Sequence, residues 1–514
     1  MDPRTGTVLV ALALGCGGVP ATAPASVPVA QPPVEPWSDP PEYAIDHASA
    51  GAGETIFTRT GIGDPYATGI AYPVFLALLR AYPAELGGTP EAFAVRFGFL
   101  PRAADGPVDP PAASEGLPVG MHLTVDPASH VPFLVTNCAL CHAERVRWPG
   151  GEHLVIGLGN RRVRVHAYDA VLHDLALRPD FTPATLGPLA AQAARERHLA
   201  WPPGWRDPMV RATLDALRVR ARDRADFISR VRDGAPGRVA TIESFAVAME
   251  RVVHHPVSTG ATVGWARVPD VLGFAHRETL SWDGAGTGPI ETLVVEADFA
   301  AGARARWFHQ HPLQGASLAA YLRDLPRAPA FPGAIDRALA ARGHALFDPS
   351  CAGCHGTYGP DGEAVDYTES VVPLRTLGVD PARAMALTDD FARAANEPVF
   401  QQGGLHTRRT GGYVPPVLTR VWSRAPYGHA AQWPSLAVLA TAPDARPTRF
   451  VVDLDGPLDL DTVGLRVRPP GAPAGPGEYL QDATQPGLGV HGHPFLADLG
   501  ASDARAVIEY LKTL

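Results

Sequence analysis

Cysteine is scarce in this 514-residue chain, which has only five. Four stand in two Cys-x-x-Cys-His motifs, and the fifth, Cys16, ends an apolar run. A disulfide framework would scatter cysteines along the chain, so that class is excluded. Basic runs are also missing. The 44 Lys and Arg are outweighed by 53 Asp and Glu, the net charge is -9, and no basic block exceeds a few residues. Nucleic acid is therefore not expected as a partner. Gly and Pro, at 52 and 53 residues, fall short of the share that marks a disordered chain, and 46% of residues are apolar. A loop-rich globular protein of two or three domains fits that balance. After the amino-terminal run, no apolar stretch is long enough to span a bilayer.

That first run, residues 7–15 (TVLVALALG), follows Arg4 and is itself too short to span. It ends Ala13-Leu14-Gly15-Cys16, which resembles a bacterial lipobox with alanine where leucine is usual. Residues 1–16 are thus expected to be an export signal whose cysteine is lipidated; ordinary cleavage after Ala23-Pro24-Ala25 is the alternative. Residues 17–41 are rich in Pro, Ala and Val and form a spacer. Gly17 after the cysteine favours the outer membrane, so the expected location is an anchored lipoprotein on the periplasmic side. A soluble periplasmic or secreted protein is the alternative. The lipid is the one membrane attachment expected.

From residue 42 the expectation is mainly α, with two cytochrome c-like haem domains at 42–325 and 326–514, long loops and a few short β-hairpins. Residues 73–81 (PVFLALLRA) form a short apolar helix. Residues 206–231 carry apolar positions at helical spacing and make an amphipathic helix or pair, and 243–253 make another. A short hairpin is expected within 259–303. Residues 334–347 place Ile335, Leu339 and Leu346 on one helical face, and a short loop then leads to Cys351. Ser502 can cap a terminal helix with Val507, Ile508, Leu511 and Leu514 on its apolar face, which could pack across the second motif. No internal repeat is visible outside the motifs.

The motifs are Cys138-Ala139-Leu140-Cys141-His142 and Cys351-Ala352-Gly353-Cys354-His355. Thiols three apart on one helical turn can add across the two vinyl groups of a porphyrin. The histidine that follows then lies under the iron. The pattern predicts two covalently bound haem c groups, with His142 and His355 as proximal iron ligands. Zinc or a redox-active dithiol would explain the cysteine pairs but not the histidine after each. The sixth ligands decide what each iron does. Beyond the first residue there are four methionines, Met121, Met209, Met249 and Met385, among 19 histidines. Met121 and His122 are the nearest candidates upstream of the first motif.

The arrangement resembles the dihaem c-type cytochromes typified by the bacterial rubber oxygenase, distant relatives of the bacterial dihaem cytochrome c peroxidases. The likeness runs from about residue 55 to the end. Thr60-Gly61-Ile62-Gly63, Gly69-Ile70-Ala71-Tyr72-Pro73, Leu117-Pro118-Val119-Gly120 and Asn137 precede the first motif in the family's order. Arg342-Gly343-His344-Ala345-Leu346-Phe347 leads into the second. Pro416-Val417-Leu418, Val421-Trp422, Ala425-Pro426-Tyr427-Gly428-His429, Arg446-Pro447-Thr448-Arg449-Phe450 and Gly492-His493 follow. The resemblance implies that His493 binds the second iron from the distal side, with His491 the competing choice. It implies a reactive first haem with an open or oxygen-occupied distal side, and a tryptophan coupling the two haems. Trp282, in Ser281-Trp282-Asp283-Gly284, is similar to that residue; a plain core tryptophan is the alternative. Two departures leave the substrate open. Ala430-Ala431 replace the family's Asn-Gly after His429, and the segment near Tyr72 lacks its tryptophan.

Three functions compete. The first is a haem-dependent oxidoreductase of the oxygenase or peroxidase class, using O2 or peroxide at haem one and exchanging electrons through haem two with a small redox partner. The second is an electron carrier with two six-coordinate haems. The third is a haem-based sensing or binding module.

Overall fold

The computed structural model describes residues 43, 45–63, 65–102, 116–232, 234–294, 310–401 and 404–514. The expected export signal, Cys16 and the whole of the Pro-rich spacer lie outside them. Among the described residues 42% are helical and 14% are in strands, spread over several small sheets. The fold is therefore mixed α/β, and the expectation of a mainly α, cytochrome c-like architecture is corrected. The strands are two to six residues long and lie in Gly- and Pro-rich stretches. So short a run displays too little alternation to stand out from a loop.

The chain enters through helix α1 (Ala50–Thr58), capped by Ser49, whose hydroxyl accepts the Ala52 N–H at 3.2 Å. Strand β1 (Ile70–Ala71) joins β2 (Met121–Val125) and β3 (Pro132–Thr136) in an antiparallel sheet with β3 central. Helix α2 (Tyr72–Ala81) is the expected apolar helix, buried along almost its whole length as an all-round apolar sequence must be. Directly after the first motif comes the hairpin β4 (Ala143–Trp148) and β5 (Gly151–Ile156). Five helices follow: α3 (Val165–Ala176), α4 (Pro183–Glu196), α5 (Pro203–Asp223), α6 (Ala225–Val231) and α7 (Thr241–Val253). The stretch 206–231 is thus a pair. Within 259–303 the hairpin is Thr279–Leu280 against Gly286–Thr287, extended by His406–Thr407.

Helix α8 (Leu313–Arg323) returns across α1. Gly53 of α1 allows the close crossing, because a Cβ there would overlap the Ser317 carbonyl. One turn on, Phe57 packs on Tyr321 with ring centres 5.6 Å apart. The same clasp recurs in the second half between α9 (Arg337–Ser350) and α10 (Ala501–Leu511). There a Cβ on Gly343 would overlap the Ala506 carbonyl, and Phe347 lies 5.2 Å from Tyr510. An internal repeat therefore exists outside the motifs, at the level of helix pairs. Helix α9 runs directly into Cys351, with no loop between. Helix α10 starts after Gly500, whose φ of 80° ends the preceding turn; Ser502 lies inside the helix and does not cap it.

The two halves share contacts. Val146 and Val155 of the β4–β5 hairpin enter the apolar cluster of Phe347, Trp422, Tyr427 and Val507. Leu458 donates its N–H to the Arg147 carbonyl at 2.8 Å, on the outer edge of that hairpin. A three-stranded sheet, with β6 (Arg449–Asp453) between β7 (Val467–Arg468) and β8 (Glu478–Asp482), backs this junction. Among the described residues no helix is long and apolar enough to cross a membrane.

Candidate functional site

The first motif opens on a 3-10 turn, Cys138–Leu140, capped by Asn137, whose side-chain oxygen accepts the Ala139 N–H at 3.1 Å. The second follows the last turn of α9 into a single helical turn, Ala352–His355. In each, the histidine N–H bonds back to the first cysteine's carbonyl, at 2.9 Å for His142 and 3.0 Å for His355. All four motif cysteines are half-buried. Burial pushes the Cys141 and Cys351 thiols up to about 11, with Cys354 adding to the effect at Cys351. Among the described residues there is no group of three or more His, Cys, Asp or Glu side chains that could hold a metal ion.

The two histidines are held alike. His142 Nδ1 lies 3.1 Å from the Pro269 carbonyl, and His355 Nδ1 lies 2.9 Å from the Pro416 carbonyl. A carbonyl only accepts, so Nδ1 carries the proton and Nε2 keeps its lone pair. Burial lowers both basicities, against the opposing pull of those carbonyls, so both rings stay neutral. A neutral imidazole fixed through its second nitrogen is the arrangement of a metal-ligating histidine.

His493 faces His355, with ring centres 6.3 Å apart and planes tilted by 57°. Two metal–nitrogen bonds of about 2 Å, plus roughly 1.1 Å from each nitrogen to its ring centre, give roughly that separation for imidazoles on opposite sides of one ion. His493 therefore fits as a partner of His355 across an iron. Burial, the His355 ring and Arg446 push it down to about 3, so it too is neutral. Its loop is pinned. Arg446 donates to the carbonyls of Val490 (3.0 Å), Gly492 (2.6 Å) and His493 (3.2 Å), and the Trp433 indole donates to Val490 at 2.8 Å. His491 is exposed. Met121 is spent in the hydrophobic core at 1% exposure, and Gly120 before it lies against the Leu140 backbone.

Trp282 is half-buried against the second cluster. Its indole donates to the Arg267 carbonyl at 3.2 Å, and its own carbonyl accepts the Val414 N–H at 2.9 Å. Arg267 stands two residues before Pro269, and Val414 two before Pro416, so Trp282 spans the two segments that hold the histidines. The buried Asp283–Arg383 pair, at 2.9 Å, fixes its loop.

Sequence reasoning missed a second link between those segments. Asp270, next to Pro269, pairs with Arg424 at 3.1 Å and with Arg267 at 3.7 Å; both arginines are buried and the carboxylate is 10% exposed. Arg424 donates to the Val417 carbonyl at 2.7 Å, beside Pro416, and Arg267 to the Arg424 and Pro426 carbonyls at 2.8 and 2.7 Å. His429 was likewise unassigned. It is buried, stacked 4.4 Å from Tyr413, and pushed down to about 3 by burial.

No family model matches the chain. It is similar to an uncharacterized protein, y4iM, of Sinorhizobium fredii (strain NBRC 101917 / NGR234), 28% identical over 254 residues and covering 42% of this chain and 52% of that protein. The chain thus spans about half the length of the curated relative it matches. Among solved structures it is similar to the hydrazine synthase of Kuenenia stuttgartiensis, determined under 20 bar of xenon. That match has 16% identity and a TM-score of 0.24, over 50% of this chain and 75% of that one. A score that low defines no shared fold.

Proposed function

We propose that the chain is an exported dihaem c-type cytochrome, related to the rubber oxygenase group, that acts as a haem-dependent oxidoreductase. The observation that carries the proposal is that His355, directly after one Cys-x-x-Cys, stands opposite His493 with ring centres 6.3 Å apart. Cys138 and Cys141 would attach one haem, and Cys351 and Cys354 the other. His142 and His355 would supply Nε2 from the proximal side and His493 from the distal side of the second. Bound haem supplies one-electron exchange and, where an axial position is open, a place for O2 or peroxide. The chain's own part is to hold the imidazoles neutral through burial and to orient them through the Pro269 and Pro416 carbonyls. A site closed by His493 suits electron relay with a small redox partner, leaving O2 or peroxide chemistry to the first haem. Trp282, touching both histidine-bearing segments, is the coupling residue in this scheme. Cys16 would add a lipid anchor on the periplasmic side.

The test is direct. Protein made in a host that matures c-type cytochromes should gain the mass of two haems and stain for haem after denaturation. His493→Ala should turn one low-spin haem high-spin or water-ligated, while His491→Ala leaves both spectra unchanged. A mass showing one haem or none sinks the dihaem assignment. A low-spin spectrum that survives His493→Ala sinks the ligand assignment alone.

A further inference from the structure

Behind the His142 segment, at the junction of the two halves, lies a cavity of about 20 Å³. Arg161, Arg238, Arg267, Val452, Tyr479 and Gln481 are among its lining residues. A single water needs about 10–15 Å³, so the space holds one or two waters or one compact ion. Its chemistry is one-sided. Arg161 is 4% exposed, and only its Nε has a partner, the Leu454 carbonyl at 2.8 Å. Nη1 and Nη2 of Arg161 are buried without partners, as is Nε2 of Gln481, a residue 2% exposed. All three unpartnered groups are donors. Arg238 donates to the carbonyls of Ala430 and Ala431 and to Gln481 Oε1, at 2.5, 3.1 and 2.6 Å.

The surrounding carboxylates are committed elsewhere. Glu144 bonds the Arg161 backbone N–H at 2.9 Å and the Arg162 guanidinium. Asp455 pairs with Arg162 at 2.9 Å, and Asp270 serves Arg424 and Arg267. Among the described residues neither Arg161 nor Arg238 has a carboxylate partner. Water could occupy the donors but would leave Arg161 offset only at longer range by Glu144 and Asp455, and Arg238 with no carboxylate, an arrangement that carries a cost in a buried site.

We propose that this cavity binds a compact monoanion, either a halide ion or a carboxylate group, held by Arg161 Nη1 and Nη2 and Gln481 Nε2 with Arg238 balancing the charge. The anion has two possible sources. One is a free ion. The other is a carboxylate of the haem attached at Cys138 and Cys141, and only this source rests on the haem proposal.

The experiment uses the full chain, purified with its cofactors. It is melted in chloride and separately in formate, against methanesulfonate at one ionic strength. A free-ion site raises the unfolding midpoint by about 1–2 °C for each tenfold rise in chloride or formate above half-saturation. Arg161→Met and Gln481→Leu should abolish that response, and Arg161→Lys should keep part of it. A haem carboxylate in the site gives no response to added anion, but Arg161→Met then makes one haem's reduction potential newly pH-dependent. The proposal is overturned if Arg161→Met responds to anions as the unaltered chain does. It is equally overturned if neither anions nor the substitution changes anything, since water alone then fills the space. Failure of the haem proposal shows separately, as missing haem mass, and leaves the chloride and formate measurements readable.

Discussion

Replacing Asp270 with asparagine tests the bridge between the two segments whose carbonyls hold His142 and His355. The carboxylate lies 3.1 Å from Arg424 and 3.7 Å from Arg267, with side-chain exposures of 10%, 4% and 8% in that order. At an effective dielectric of about 20, such contacts are worth about 4–5 kcal/mol each before desolvation. Desolvation of each ion takes back several kcal/mol. Removing the carboxylate while leaving both guanidiniums buried is then expected to cost about 3–5 kcal/mol. Unfolding entropy of about 2 cal/mol/K per residue translates this into a midpoint lowered by about 3–5 °C for a unit of this size. Calorimetry of Asp270→Asn measures the loss. A double-mutant cycle with Arg424→Met should return a coupling of at least about 1 kcal/mol. The bridge ties together the segments that hold His142 and His355, so in the proposed dihaem protein Asp270→Asn should also shift the absorption spectra of both haems. A loss below about 1 kcal/mol, with no coupling, would refute the reasoning.

Gly343→Val should destabilise by about 1–3 kcal/mol in denaturant titrations, because its Cβ overlaps the Ala506 carbonyl. Gly353→Ala, which meets nothing within 4 Å, should be near neutral in the same titrations. Stability should fall as pH drops from about 6.5 to 4, by about 1.4 kcal/mol per pH unit for His166. Burial holds that ring near 4 while its Nε2 accepts the Ala240 N–H at 2.9 Å, so the unfolded chain takes up the proton first. His166→Gln should flatten that slope. Cys16→Ala should release the protein from membranes; unchanged membrane association would favour ordinary cleavage.

The motifs were legible because their chemistry needs contiguous residues, and α2 and α7 because dense apolar residues at helical spacing leave no other choice. What holds the motif histidines was not. Pro269 and Pro416 act through backbone carbonyls, which carry no residue signature, 127 and 61 residues from their partners. The Asp270–Arg424 pair is equally distant in sequence. Hairpins β4–β5 and β2–β3 escaped because their strands are short and interrupted by Gly, Pro and charged residues. The repeated clasp was written in the chain as Gly53 to Phe57 and Gly343 to Phe347. The differing distance from each to its motif prevents the two halves from aligning.

If the chain is exported as proposed, that clasp sets an order of events. Helix α1 precedes the first motif, but its partner α8 begins only at Leu313, far behind Cys138. Helix α9 likewise waits for α10, at the end of the chain. Loops of such length close slowly compared with local helix formation. In the proposed export, each pair of thiols would therefore emerge on a chain whose clasp is still open. The interval ends when glycine meets carbonyl and the aromatic rings lock behind it. Any enzyme that modifies these cysteines has that interval, and a substitution that speeds clasp closure would shorten it without touching a single thiol.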